Sequence, residues 1–139
     1  MRDIEWEKAL YDHQHMMIKR LDAHRKKNKT EDLTSDERMA VEHSFQLLVA
    51  SMLDLAKYVL KNHYNEDVET RDQVLDELIK HQDVTYEQGQ QIASLIKIRD
   101  QILNDYLEQN FTGLNDALKI KRYALVEVLT KEWTARLES

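Results

Sequence analysis

The segment from residue 35 to residue 61 constrains the fold more than any other part of the chain. Thr34 and Glu37 form a capping box at its start, and neither proline nor glycine interrupts it, so its sequence predicts one continuous helix. Apolar residues lie around most of its circumference, namely Val41, Phe45, Leu47, Leu48, Val49, Met52, Leu53, Leu55, Ala56, Tyr58, Val59 and Leu60. A helix this apolar must be covered on two sides. We expect its own bundle to cover one side and a second copy of the chain to cover the other, in a homodimer whose interface includes this helix and the helix over residues 86–109.

Residues that break helices are nearly absent. The chain has no proline and only two glycines, Gly89 and Gly113, while 33% of its residues are charged. This composition predicts an all-α protein. A length of 139 residues favours a single domain over residues 1–139 that can bury a core. The predicted architecture is an up-and-down bundle of four to five antiparallel helices.

Apolar periodicity places the remaining helices over residues 3–25, 70–81 and 86–109, with a last helix from about residue 114 to near the C-terminus. The first helix carries a stripe of Trp6, Leu10, His13, Met17, Leu21 and His24. The third should turn Val74, Leu75, Leu78 and Ile79 inward, and the last Leu114, Leu118, Leu125, Val128, Leu129, Trp133 and Leu137. A polar loop over residues 62–67 separates the second and third helices.

Several classes of protein are disfavoured by composition. The chain has no cysteine, which excludes disulfides and thiolate metal sites and permits a reducing compartment. The first ten residues lack the apolar core of a signal peptide, and no run of about 18 apolar residues predicts a membrane span. We therefore expect a cytoplasmic protein. The net charge of −6 argues against a broad nucleic-acid-binding surface but leaves room for a small basic cleft.

The most informative polar residues lie on the helix over residues 86–109. Arg99 falls on the apolar stripe formed by Ile92, Leu95, Ile96, Ile102, Leu103, Tyr106 and Leu107. A buried guanidinium without a partner is costly, so Arg99 pairs with a carboxylate, extends to the rim of the stripe, or points into a cleft for an anion. Glu42 is one candidate carboxylate. Asp100 and Asn104, four residues apart, form a polar row beside the stripe.

Structural roles explain most of the other polar groups without a ligand. The basic run over residues 24–29 is either a solvated helix end or a phosphate-facing patch. His13 and His24 suit the edge of the core or an interface. His63 lies near Glu66 and Asp67, but no ligand set with recognisable spacing is present, so we predict no metal and no cofactor. Glycine-rich phosphate loops and nucleophile elbows are absent.

The residues Arg99, Asp100, Asn104 and Tyr106 resemble the motif of the HEPN superfamily of minimal RNases, particularly its HepT-like toxins. In that motif one helix carries an arginine, a polar residue, a histidine and, two residues later, a tyrosine. Arg99, Asp100 and Tyr106 match three of the positions, and Asn104 stands where the family has histidine. The helical layout from about residue 38 to residue 129 is also similar to the HepT branch.

The resemblance implies a metal-independent endoribonuclease that works as a dimer, with the arginine and histidine of both subunits in one cleft. It also implies a toxin–antitoxin pair in which a minimal nucleotidyltransferase adds AMP to the motif tyrosine, here Tyr106. Asn104 cannot titrate, so we expect RNA cleavage to be attenuated or lost. Either His43 or His81 could enter the cleft in three dimensions. The alternative is a catalytically inactive dimeric scaffold that binds a nucleotidyltransferase or nucleic acid.

Overall fold

The structure is a computed structural model that describes residues 2–107 and 111–139. It is an all-α helical bundle, and the described residues include no strand. The α-helices are α1 (Ile4–Asn28), α2 (Ser35–Asn62), α3 (Val74–Lys80), α4 (Tyr86–Asn104), α5 (Thr112–Lys119) and α6 (Leu125–Glu138). Short 3₁₀ turns, Arg71–Gln73 and Arg122–Ala124, precede α3 and α6. The prediction of an all-α bundle is confirmed.

The central helix is α2, which packs against α1, α3, α4 and α6. Its apolar residues from Val41 to Leu60 are almost all buried, and Leu47 and Tyr58 are partly covered. Burial of each large aliphatic side chain contributes roughly 1.5–3 kcal/mol, so α2 supplies much of the driving force for folding. Because a single chain covers nearly the whole circumference of α2, this helix does not by itself require a second subunit. The apolar circumference of α2 is therefore no evidence for a dimer, and the homodimer stays a prediction.

The capping boxes predicted from the sequence are present at the starts of α2 and α4. Thr34 and Glu37 exchange hydrogen bonds between side chain and backbone at α2. Thr85 and Gln88 do the same at α4. Gln88 also donates toward the carboxylate of Glu132 on α6, at 3.4 Å. A glutamate at position 88 would be repelled by the carboxylate of Glu132. This explains why the capping box of α4 has glutamine instead of glutamate.

The predicted last helix is divided in two. Lys121 adopts the left-handed conformation with φ 55° between α5 and α6, and Ile120 beside it is exposed. This conformation cannot continue a right-handed helix, so the chain turns there. Two of the predicted inward residues also lie at the surface, Ile79 on α3 and Val128 on α6, with exposed fractions of 53% and 49%.

Three buried or half-buried acidic side chains join distant parts of the chain. Glu7 accepts hydrogen bonds from Arg2 and from the Tyr58 hydroxyl, and these bonds, led by that from Arg2, lower its pKa. Asp22 on α1 accepts from the Tyr123 hydroxyl near the start of α6. Asp83, whose side chain is fully buried, joins the α3–α4 loop to α6.

Of the helices in the described part of the chain, none combines the length and apolar content needed to cross a bilayer.

Candidate functional site

Arg99 lies on the last turns of α4, beside the stripe that packs the helix into the bundle. Gly89, Ile92, Leu95, Ile98 and Ile102 form the buried face of α4. Arg99 falls between Leu95 and Ile102 on that face, and only 12% of its side chain is exposed. The sequence therefore places the guanidinium at the edge of the core, as expected.

Two carboxylates hold the Arg99 guanidinium. Its Nη2 and Nε atoms donate to Oδ1 of Asp100 at 2.8 and 3.2 Å. Asp72, in the 3₁₀ turn before α3, lies 3.9 Å from Nη2 and is 86% exposed. The expected contact with Asp100 is present. These acidic groups offset the charge of Arg99 within the chain, so the guanidinium is not a free cation.

Glu42 is not the partner of Arg99, which corrects the expectation from helical periodicity. Glu42 lies instead in a shallow groove between the start of α2 and α5, beside Arg38, Leu33 and Phe111. Burial raises the pKa of its carboxyl, while Arg38 acts in the opposite direction. Periodicity shows which side of α2 carries Glu42 but not which helix covers that side, which here is α5.

Helix α4 ends at Asn104, so Tyr106 does not share a helical face with Arg99. Asp105 leaves the helical conformation, with φ −106° and ψ 42°, and its N–H closes the last turn on the Gln101 carbonyl. Asn104 and Asp105 are weak helix formers, and an aspartate at the negative end of the helix dipole is unfavourable. The prediction of a helix to residue 109 is therefore wrong at its end, and residues 108–110 lie outside the described residues.

The last turn of α4 and the residues that follow it expose large side chains. Leu103, Tyr106 and Leu107 are 56%, 75% and 84% exposed, although the apolar stripe predicted them inward. Ile102 is the last buried residue of α4. We call Leu103, Tyr106 and Leu107 the α4-end patch. It lies on the same end of α4 as Asp100 and Asn104.

No histidine among the described residues hydrogen-bonds to Arg99. His43 is exposed on α2, and His24 contacts the Arg20 carbonyl through Nδ1 at 2.8 Å. His81 faces Glu66 and Glu77 instead. The imidazole that the resemblance requires is therefore not supplied to the Arg99 site within one chain by either of the two candidates, His43 and His81.

The basic run at the end of α1 is partly neutralised. Lys27 forms a 2.5 Å ion pair with Glu37 and lies 4.0 Å from Glu31, while Arg25 lies 3.7 Å from Asp22. These contacts favour the interpretation of the run as a helix end anchored to the start of α2. They do not form a concentrated phosphate-binding surface.

The structure brings together acidic and imidazole groups that the sequence analysis kept apart. Glu66, Glu77 and His81 place their ligand atoms within 4.8 Å of one another. His63 instead packs its ring edge-on against Tyr64, and Asp67 pairs with Lys61 at 3.9 Å. The signal that was missed is the spacing of Glu77 and His81, four residues apart on one helix. Glu66 could be joined to them only through the fold.

Two grooves on the surface are lined by residues other than Arg99. One of about 540 Å³ is lined by Gln91, Ser94 and Leu95 of α4 and by the Ile120–Arg122 turn. Another, of about 640 Å³, lies between Trp6, Tyr58 and the loop after α2. Arg99 lines neither of these grooves.

Comparisons with protein-family models, curated proteins and solved structures return no match to this chain. The class defined by fold and site is thus an all-α bundle with an arginine–carboxylate pair near the end of α4. The family resemblance rests on the motif residues and the helical layout.

Proposed function

We propose that this protein is a HepT-like member of the HEPN superfamily, the RNase-type component of a cytoplasmic toxin–antitoxin pair, and that its RNA cleavage is weak or lost. The observation that supports this proposal is the arrangement at the end of α4. Arg99 and Asp100 form a contacting pair, Asn104 is the last helical residue, and Tyr106 follows with an exposed side chain.

The chemistry of RNA cleavage explains why activity should be low. Attack of a ribose 2′-hydroxyl on the neighbouring phosphate needs a group that exchanges protons near neutral pH, and it needs a fixed cation on the phosphate oxygens. Arg99 is the cation, but Asn104 has no titratable proton. Loss of general acid–base catalysis typically costs about 10²–10⁴ in rate. The pairing of Arg99 with Asp100 and Asp72 lowers its availability to phosphate further.

The position of Tyr106 supports a role as an acceptor of AMP. Its hydroxyl group belongs to a side chain that is 75% exposed, on a segment beyond the end of α4. A nucleotidyltransferase must bring its own active site around the acceptor oxygen, and an exposed tyrosine outside a helix allows that approach. A tyrosine on the buried face of α4 would not.

A homodimer belongs to this proposal, with its interface at the α4-end patch rather than at α2. The patch exposes three large apolar side chains close to Arg99 in sequence. Large apolar side chains that stay exposed in a single chain are candidates for a protein–protein contact. A symmetric contact there would bring the Arg99 side chains of both subunits toward one cleft, in which each retains its Asp100 partner.

The second candidate function is a non-catalytic scaffold that binds a nucleotidyltransferase or nucleic acid. The observation in its favour is the ion pairing of Arg99, since a guanidinium held by acidic groups suits structure as well as catalysis. The two candidates differ in what mutation of Arg99 does. A residual nuclease loses cleavage on Arg99→Ala, whereas a scaffold has no cleavage to lose.

Modification of Tyr106 tests the partner in this proposal. The protein is incubated with ATP, Mg²⁺ and the small nucleotidyltransferase encoded beside it, and the adduct is located by peptide mass spectrometry. We expect one AMP on the peptide that contains Tyr106, and no adduct in Tyr106→Phe. Tyr86→Phe is the matched control, because Tyr86 is 82% exposed at the other end of α4.

Two kinds of result would contradict this proposal. If no nucleotidyltransferase gene lies beside this one, the pair is contradicted. If the adduct forms on Tyr86 or is unchanged in Tyr106→Phe, Tyr106 is not the acceptor.

A further inference from the structure

Three side chains with metal-ligating atoms meet where the loop after α2 passes α3. The Nε2 atom of His81 lies 3.5 Å from Oε1 of Glu66 and 4.0 Å from Oε2 of Glu77. Glu77 lies on α3, His81 follows its last residue, and Glu66 belongs to the loop. The three ligand atoms are all within 4.8 Å of one another.

The distances fit metal coordination better than hydrogen bonding. Both are longer than the usual 2.7–3.2 Å of a hydrogen bond. In a tetrahedral zinc site with bonds of about 2.0–2.1 Å, neighbouring ligand atoms lie roughly 3.3 Å apart. Small side-chain rotations would bring the three ligand atoms to that spacing around one ion.

Two of the ligand atoms are buried and have no hydrogen-bond partner among residues 2–107 and 111–139. They are Nε2 of His81 and Oε2 of Glu77. Buried polar atoms in proteins are nearly always satisfied, so such a pair calls for an explanation. A cation between them would satisfy both atoms at once and would balance the charge of the two carboxylates.

Packing around the site orients the imidazole. The His81 ring stacks on Tyr64, with ring centroids 4.5 Å apart and an interplanar angle of 26°. The Tyr64 hydroxyl donates to the buried carboxylate of Asp83 at 2.5 Å, which fixes Tyr64 in turn. The Glu66 N–H donates to the Leu60 carbonyl at the end of α2. The stacked ring and the backbone hydrogen bond limit how far His81 and Glu66 can move away from each other.

We propose that Glu66, Glu77 and His81 bind one divalent transition-metal ion, zinc by preference, with water completing its coordination. One imidazole and two carboxylates form a ligand set that zinc accepts, whereas magnesium and calcium prefer oxygen ligands alone. The site is separate from Arg99 and independent of the proposed nuclease chemistry. Its role is structural, because the ion ties the loop after α2 to the end of α3.

The test is a titration of the full-length, chelator-treated protein with Zn²⁺ by isothermal calorimetry. We expect one ion per chain, and affinity at least about tenfold weaker in Glu66→Gln and in Glu77→Gln. Asp67→Asn and His63→Gln are the matched controls, because they remove a neighbouring carboxylate and imidazole that lie outside the cluster. Both controls should bind as the wild type does. Circular dichroism verifies that each variant keeps its helical content.

Two further measurements locate the ion. Co²⁺ bound in place of Zn²⁺ should give visible absorption bands of a four-coordinate site, which Glu66→Gln loses. Zn²⁺ at about a hundred times its Kd should raise the Tm by at least about 5 °C in the wild type. Glu66→Gln should show little shift.

The proposal is overturned if wild-type protein binds no Zn²⁺ saturably, or if Glu66→Gln and Glu77→Gln bind it as tightly as the wild type. The latter would show binding at scattered surface groups only. It is also overturned if metal leaves the Tm unchanged while Glu66→Gln alters the pH dependence of stability. That outcome would show that His81 pairs with the two carboxylates as a protonated imidazolium.

Discussion

At the scale of single residues, buried carboxylates hold this bundle together at points where the apolar core does not. Asp83 is the clearest example. Its carboxylate accepts hydrogen bonds from Nε1 of Trp133 at 2.9 Å and from the Tyr64 hydroxyl, and it forms an ion pair with Nε of Arg136 at 3.0 Å. Burial, together with the hydrogen bond to Asp83, raises the pKa of Tyr64. The α3–α4 loop is therefore fixed to α6 through one side chain.

Asp83→Asn tests this assignment. The amide keeps the size of the side chain but leaves Arg136 without its counter-charge and one donor without an acceptor. We expect the free energy of unfolding to fall by about 2–3 kcal/mol, measured by urea denaturation. Asp54→Asn is the control, since Asp54 bonds Arg71 at 2.8 Å but both side chains are substantially exposed. Its effect should stay below about 1 kcal/mol. Equal losses in the two variants would contradict the special role of Asp83.

At the scale of helices, the start of α2 combines a capping box with an ion pair. A hydrogen bond from Lys27 and a second from the Thr34 N–H lower the pKa of Glu37 to about 2. The pKa is thus lower in the folded protein than the ordinary value of 4.5. The carboxylate therefore stabilises the fold above about pH 4.5, and this contribution disappears as the pH falls toward 2.

Glu37→Gln isolates that contribution, because glutamine preserves the capping box, as Gln88 does at α4. We expect the wild type to be more stable than the variant at pH 7 and the difference to vanish between about pH 4.5 and 2. Urea unfolding at a series of pH values measures it. Glu31→Gln should change little, since Glu31 is more exposed and lies 4.0 Å from Lys27. A difference that persists at pH 2 would contradict the assignment.

How far the sequence predicts these helices depends on local signals. Both capping boxes carry their own hydrogen-bond partners within four residues, and the starts of α2 and α4 are therefore where they were predicted. The end of α4 and the turn at Lys121 depend on what the rest of the chain leaves for those residues to pack against. Apolar periodicity continues through Leu103, Tyr106 and Leu107, yet the buried face of α4 ends at Ile102.

The contacts between polar side chains also differ in how far the sequence predicts them. The contact between Arg99 and Asp100 joins neighbours in sequence and follows from it. Other contacts join residues that are distant in sequence or separated by loops. They are the contact of Arg99 with Asp72, the contacts of the buried Asp83 carboxylate, and the cluster of Glu66, Glu77 and His81. Their proximity depends on tertiary packing, which a pattern of hydrophobic residues does not encode by itself.

At the scale of the whole molecule, the exposed apolar side chains favour a dimer interface at the end of α4 over one at α2. The core of α2 is enclosed by its own chain, whereas the α4-end patch is open. We expect a dimer by light scattering at micromolar concentration, and a shift toward monomer in Leu103→Asp and in Leu107→Asp. Ile4→Asp is the control, because Ile4 is 61% exposed on α1. A wild-type monomer at all concentrations would contradict the homodimer.

The central proposal is that the end of α4 is a nuclease site in which Asn104 replaces the group that transfers protons. Cleavage of a single-stranded RNA by the Asn104→His variant tests this claim most directly. Asn104 is exposed at the last position of α4, so an imidazole fits there without displacing the core. The account predicts weak or no cleavage by the wild type and a rise of at least about tenfold in Asn104→His, within the range that general acid–base catalysis supplies. Adding Arg99→Ala should remove the gain. Efficient cleavage by the wild type that survives Arg99→Ala, or no gain from Asn104→His, would contradict the account.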